Sequence, residues 1–237
     1  MPPVFRIIDG IPIQLKKRIG EGSFKTVYEG YDTANGRKLA VSKCQATKDS
    51  LRELKLLKRL MHPCIVQVLG SCEDGKHLIT VMELMTPVDR LGPLKNDDLK
   101  IVMKDVLDGL LYLHSQDILH GDVKPGNILT KTLDRGNLGA QLCDFGCAVQ
   151  NKEITNFNSG TIPFMAPEVH QAGEVTVKAD IFSVGGTPLQ LTTGIVPWSS
   201  SRSEWRITLE VGNAEPETPT DFAKRLKSLK FHINHLD

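Results

Sequence analysis

Ten residues constrain this chain more than any others: His120-Gly121-Asp122-Val123-Lys124-Pro125-Gly126-Asn127-Ile128-Leu129. A carboxylate (Asp122) stands two residues before a cation (Lys124) and five before an amide (Asn127). Phosphoryl transfer from a nucleotide wants those three chemistries close together. A carboxylate takes or orients a hydroxyl proton, a cation neutralises charge on the moving group, and an amide oxygen completes a magnesium shell. Pro125 and Gly126 disfavour a helix, so the three side chains are expected on a loop, anchored by a strand that begins at Ile128 and Leu129.

Further motifs follow in a fixed order. Gly20-Glu21-Gly22 opens the first recognisable element, Asp144-Phe145-Gly146 begins 17 residues after Asn127, and Ala166-Pro167-Glu168 closes a later segment. With the central ten residues they resemble the eukaryotic protein-kinase family, whose catalytic loop reads H-R-D-x-K-x-x-N. Gly121 stands where that pattern has arginine. The resemblance runs from about Leu15 to Trp198. It implies an α+β, two-lobed protein-kinase fold: a small antiparallel sheet lobe over residues 1–85 and a mostly helical lobe over 86–237, with the nucleotide in a cleft. It also implies ATP and Mg²⁺ as cofactors and a serine or threonine hydroxyl of a protein as acceptor. Asp122 would orient that hydroxyl, Lys124 would stabilise the transferring phosphoryl group, and Asn127 and Asp144 would hold the metal.

Composition sets the frame without choosing the chemistry. The 237 residues can bury a substantial core, and 40% hydrophobic with 24% charged residues is ordinary for a globular chain. A formal net charge of +1 gives no support for nucleic-acid or membrane binding. Five scattered cysteines, an odd number, point to reduced thiols and a cytoplasmic or nuclear setting. Cys143 and Cys147 flank Asp-Phe-Gly, but no cysteine pair is spaced like a structural zinc site. No signal peptide is visible, and no apolar stretch approaches the ~20 residues of a membrane span.

In the amino-terminal part, Leu15 to Lys38 reads as two strands around a glycine turn. Gly20 and Gly22, with Glu21 between them, allow close approach of backbone to a phosphate, and Val27 lies on the strand beyond. The family pattern expects a third glycine where Lys25 stands. The run Gly22-Ser23-Phe24-Lys25-Thr26-Val27-Tyr28 is similar to the with-no-lysine kinases, in which a lysine at this place contacts ATP. The next strand, Leu39-Ala40-Val41-Ser42-Lys43, is similar to the V-A-I-K strand, which implies that Lys43 sits at the α- and β-phosphates beside Ala40. Two phosphate lysines are therefore on offer, and strand context favours Lys43. Apolar residues at Leu51, Leu54, Leu57 and Leu60 predict a helix starting at Ser50. The resemblance makes Glu53 the partner of Lys43, but Ser50 and Glu53 also fit a capping box. His62 to Val66 is expected to lead into a strand through Val68, and Asp74-Gly75-Lys76 marks a hairpin turn. Met82 resembles a gatekeeper, with Glu83 and Met85 offering backbone bonds to adenine. Leu129 would line the same nucleotide pocket.

Thr86 to Lys95, with two prolines and a glycine, reads as a linker or degenerate turn, and a helix is expected over 97–115 with Leu99, Val102, Val106, Leu110 and Leu113 buried. His120 is read as a packed scaffold residue, and Asp180 as the anchor of the catalytic loop's backbone. Thr161 with Lys124 matches serine/threonine rather than tyrosine kinases. Glycine at 121 cannot grip a phosphorylated segment, so activity independent of such a clamp is expected, with Thr155, Ser159 and Thr161 the positions to test. After Trp198 the resemblance fades and the end reads as curtailed. Phe222, Leu226 and Leu229 offer one short helical stripe, Glu215 to Thr220 is polar and proline-rich, and no arginine stands in context to pair with Glu168. These departures support a second reading, a pseudokinase or binding scaffold.

Overall fold

The computed structural model describes residues 4–22, 24–133, 136–150, 157–171 and 175–199. The expectations for Thr155, for Glu215 to Thr220 and for the stripe at Phe222, Leu226 and Leu229 lie outside them. The chain divides into two units, Met1–Met85 and Thr86–Asp237.

The first unit is a six-stranded antiparallel sheet with one helix. Its strands are β1 (Val4–Ile8), β2 (Ile11–Glu21), β3 (Lys25–Asp32), β4 (Lys38–Gln45), β5 (Val68–Asp74) and β6 (His77–Glu83), in the order β1-β2-β3-β4-β6-β5. Asp9 and Gly10, both at positive φ (46° and 80°), join β1 to β2; an Asp-Gly pair in this conformation matches the twist of a two-residue hairpin. Gly75 at φ 60° makes the expected turn between β5 and β6. One face of the sheet is apolar: Ile8, Ile13, Leu39, Val41, Ile79 and Val81 form its core. The two edge strands come back towards each other. Arg6 Nη1 donates to Asp74 Oδ2 at 2.5 Å, and Asp9 Oδ2 accepts from the backbone N–H of Ser71 at 2.9 Å. That guanidinium holds the Asp74 carboxyl below the usual carboxylate range.

The helix α1 (Lys48–Leu57) starts two residues earlier than the leucine spacing predicts. Thr47 caps it: Thr47 Oγ1 accepts from Ser50 N (3.2 Å) and Ser50 Oγ accepts from Thr47 N (2.9 Å). Ser50 is thus the inner member of the capping box, not its cap, and Glu53 has no part in it. The segment from His62 becomes a strand only at Val68.

The second unit is built on α2 (Asn96–His114), which buries Leu99, Val102, Met103, Val106, Leu110 and Leu113 along one stripe, as its spacing predicts. Thr86 to Lys95 is more ordered than a linker. It holds β7 (Thr86–Pro87) and a 3₁₀ turn over Val88–Leu91. After α2 come β8 (Ile118–Leu119), a 3₁₀ turn over Pro125–Asn127, β9 (Ile128–Thr132) and β10 (Leu138–Leu142). A 3₁₀ turn at Phe145–Cys147 and β11 (Val149–Gln150) follow, with a further 3₁₀ turn at Ile162–Phe164. Helices α3 (Pro167–His170) and α4 (Lys178–Thr193) end the described chain. Strand β9 pairs with both β10 and β7, and β11 pairs with β8. No described helix is long and apolar enough to cross a membrane.

Candidate active site

The strand ladder decides what each predicted residue of the first unit can reach. Directly paired residues share a face, and neighbours along a strand alternate. Lys25 pairs with Cys44, Val27 with Ser42, and Ala40 with Met82. These residues therefore line one face, with Gly20 packed against Val27. Lys43 has the parity of Leu39 and Val41, so it points to the opposite, apolar-cored face. There it borders a cavity of about 1300 Å³ with Arg6, Tyr28, Val41 and Ile79.

Glu53 follows the same logic. Lys25 Nζ donates to Glu53 Oε1 at 2.6 Å, with the two side chains 30% and 12% exposed. The expected pairing of Glu53 with Lys43 is therefore corrected: Lys25 is the partner, because Lys43 stands across the sheet. The place where a V-A-I-K strand carries lysine, two residues after its alanine, falls on buried Ser42. Cys44 adjoins the ion pair, and burial pushes its thiol pKa up, keeping it protonated. Glu83 and Met85 lie at and just beyond the end of β6; the Glu83 carboxylate faces Arg37 Nη2 at 3.6 Å. Glu21 ends β2 and pairs with Arg18, and Gly22 N–H bonds Lys25 O at 2.8 Å, which closes the tight turn.

In the second unit the central ten residues are held from below. Asp180, 1% exposed in α4, accepts from the backbone N–H of His120 through Oδ2 and of Gly121 through Oδ1, both at 2.9 Å. His114 Nε2 lies 2.8 Å from the same Asp180 Oδ2. His120 is fully buried. Its Nδ1 accepts from Asp122 N, its Nε2 bonds the Cys143 carbonyl at 3.1 Å, and its ring packs on Phe145. It is scaffold, and a proton-transfer role for it has no geometric support.

Asp122 is the hub. Its Oδ2 accepts from Lys124 Nζ and Asn127 Nδ2, each at 2.8 Å, and its Oδ1 accepts from the Thr161 hydroxyl at 2.6 Å. Lys124 Nζ also donates to Thr161 Oγ1 at 2.5 Å. Asn127 Nδ2 further donates to the Asp122 carbonyl (2.8 Å). The amide is thus turned with both donors spent inward, which leaves its oxygen for a cation. The ladder brings the second candidate ligand alongside. Leu142 pairs with Ile128, and Cys143 N donates to the Asn127 carbonyl at 3.0 Å, so Asp144 emerges next to Asn127. Asp144 is exposed and left-handed at φ 61°. A carboxylate and an amide oxygen on adjoining ladder ends are hard donors that fit Mg²⁺, which binds through one or two carboxylates and keeps several waters. Leu129, half-buried, stands between Gln141 and Pro87.

An antiparallel sheet with one helix, a mainly helical second unit, and this hub of acid, base and amide define a protein-kinase architecture. Residues 13–233 match the protein kinase domain family, and the chain belongs to it. It is 32% identical to mitogen-activated protein kinase kinase kinase ANP1 of Arabidopsis thaliana, over 92% of this chain and 36% of that protein. Mitogen-activated protein kinase kinase kinase 3 of the same plant is 31% identical over 92% and 37%. Cell division control protein 7 of Schizosaccharomyces pombe is 32% identical over 93% and 22%. The chain thus spans little more than a third, or less, of each of these relatives.

Two participants were not singled out from the sequence as partners. Lys25 was legible as a candidate but not as the partner of Glu53, although the two-residue period of β4 already set Lys43 beside Leu39 and Val41. Phe157, whose ring packs with Leu119, Ala166, Val169 and Ala179, carried no motif and had no sequence signal.

Proposed function

We propose that this chain transfers the γ-phosphoryl group of ATP to serine or threonine hydroxyls of proteins. The observation that carries the reading is the contact of Thr161 with Asp122. A threonine hydroxyl already donates to this carboxylate while Lys124 spans both groups, which is the contact an incoming hydroxyl needs. Asp122 Oδ1 takes the acceptor's proton as its oxygen attacks phosphorus. Lys124 places positive charge beside the transferring oxygens, where charge spreads in the transition state. Asn127 and Asp144 are the side chains that would hold Mg²⁺, whose chemistry is to offset charge on the β- and γ-phosphates. Lys25, oriented by Glu53, is the cation assigned to the nucleotide's phosphates. The names of the Arabidopsis relatives make them kinases that act on other kinases, and by that likeness the acceptor is a protein hydroxyl.

A transfer assay with radiolabelled ATP on a generic protein acceptor tests this. Asp122→Asn and Asp144→Ala are expected to lower incorporation by about two to three orders of magnitude, the scale of losing one preorganised group. Equal incorporation by all three chains would end the enzyme reading. Stabilisation by Mg-ATP in a melting experiment, without any transfer, would instead favour the scaffold reading.

A further inference from the structure

The stretch 157–161 lies on the catalytic loop through two glycines that make room for each other's neighbours. Gly121 sits at φ +78°, and a Cβ there would stand 2.5 Å from Cζ and 2.7 Å from Cε2 of Phe157. It would also be 3.1 Å from the Cys147 carbonyl oxygen. Gly160 sits at φ +125°, and a Cβ there would stand 2.6 Å from the carbonyl oxygen of Gly121. A Cβ at Gly160 would press on backbone and one at Gly121 on the Phe157 ring, so each would force a shift between the two segments, and both conformations resist a Cβ on their own account. The Phe157 ring is 7% exposed and packs with Leu119, Ala166, Val169 and Ala179. Four residues on, Thr161 delivers its hydroxyl to Asp122 and accepts from Lys124. The Phe157 attachment that precedes this contact is made to apolar side chains.

We propose that Phe157 is the positioning residue that docks this segment on the catalytic loop, using the space vacated at Gly121, so that Thr161 reaches Asp122 without a phosphate on the segment. The inference rests on the kinase reading above and names how its acceptor site is held. A ring buried among aliphatic side chains is indifferent to ionic strength and to phosphatases, unlike a clamp of opposite charges. Docking is therefore a fixed property of the fold.

The test compares wild type, Phe157→Ala, Phe157→Leu, Gly121→Ala and the Gly121→Ala/Phe157→Ala double variant. Steady-state kinetics read the acceptor site, and amide hydrogen exchange at residues 158–165 reads docking without needing catalysis. Phe157→Ala should raise KM for the protein acceptor by about ten- to a hundredfold, with KM for ATP within about twofold. Its exchange over 158–165 should quicken by about tenfold or more. Phe157→Leu should recover most of both losses. Gly121→Ala adds its own backbone strain at φ +78° to the loss of this contact, so it should be at least as impaired as Phe157→Ala, and the double variant should fall short of the product of the two single defects, because the ring contact is lost only once. Phosphatase treatment should leave the wild-type rate unchanged.

Unchanged exchange in Phe157→Ala, additive single defects, or a wild type silenced by phosphatase would overturn the proposal. If wild type transfers no phosphate at all, the kinase reading fails, and exchange alone then decides whether Phe157 docks the segment. Should Phe157→Ala not melt cooperatively, Phe157→Val, which removes less volume, carries the same comparison against wild type and Phe157→Leu.

Discussion

At the scale of single residues, the Lys25–Glu53 pair is half-sheltered, and its partners come from different elements, β3 and α1. Holding a long lysine side chain in one direction reduces the freedom it must give up when an anion arrives. Lys25→Met is expected to lower kcat/KM for ATP by about two orders of magnitude, and Lys43→Met to change it by less than about threefold, because Lys43 lies on the other face. Transfer kinetics at varied ATP check this, and the reverse ranking would return the phosphate role to Lys43. The sequence placed both lysines within reach of the right chemistry. The V-A-I-K resemblance reaches Lys43 only one residue past its register, which falls on Ser42, and one step along β4 exchanges the two faces. In the second unit the trio Asp122, Lys124 and Asn127 needed no such arbitration, since five residues of chain keep the three groups together. Its link to Thr161 was less legible, because contact across 39 residues depends on packing.

Elements show a similar divide between local and long-range information. Helix α2 follows directly from its apolar stripe. Helix α1 is shifted because Thr47 outcompetes Ser50 as the cap. Strand β1 was missed altogether, although Asp9-Gly10 is a strong hairpin signal, because its sequence does not alternate cleanly. Ile8 is buried to 1% exposure while its neighbour Ile7 is 76% exposed. Among the strand's described side chains, Ile8 is the buried one. Ile8→Ala should cost about 3 kcal/mol in urea denaturation, the usual sum of lost burial and residual cavity. Arg6→Ala breaks only a half-exposed ion pair and should cost less than about 1 kcal/mol. A larger loss from Arg6→Ala than from Ile8→Ala would show that charge, not burial, attaches β1.

For the whole molecule, the titration of His170 sets one boundary. Burial lowers its pKa from the ordinary 6.5, with a backbone bond to Ile162 opposing, and its Nε2 is buried with no hydrogen-bond partner among the described residues. Protonation there would put a donor where no described residue offers an acceptor. The folded chain therefore binds this proton less readily than the unfolded chain. The sign follows from linkage: stability from this group is complete above about pH 6.5 and falls as pH drops towards the folded-state pKa. Melting temperature should decline over that acid window, and His170→Gln should flatten the decline; an unchanged slope would remove His170 from the account. The sheet of the first unit sets another boundary. An open sheet normally ends in rows of unpaired backbone groups that can recruit strands from other chains. Here the last strand of the order has its Ser71 N–H already taken by Asp9, at the turn that follows the first strand. A foreign strand would have to displace the Asp9 carboxylate to pair at that point, so the turn at Asp9 and Gly10 covers this part of the edge, and Asp9→Ala would uncover it.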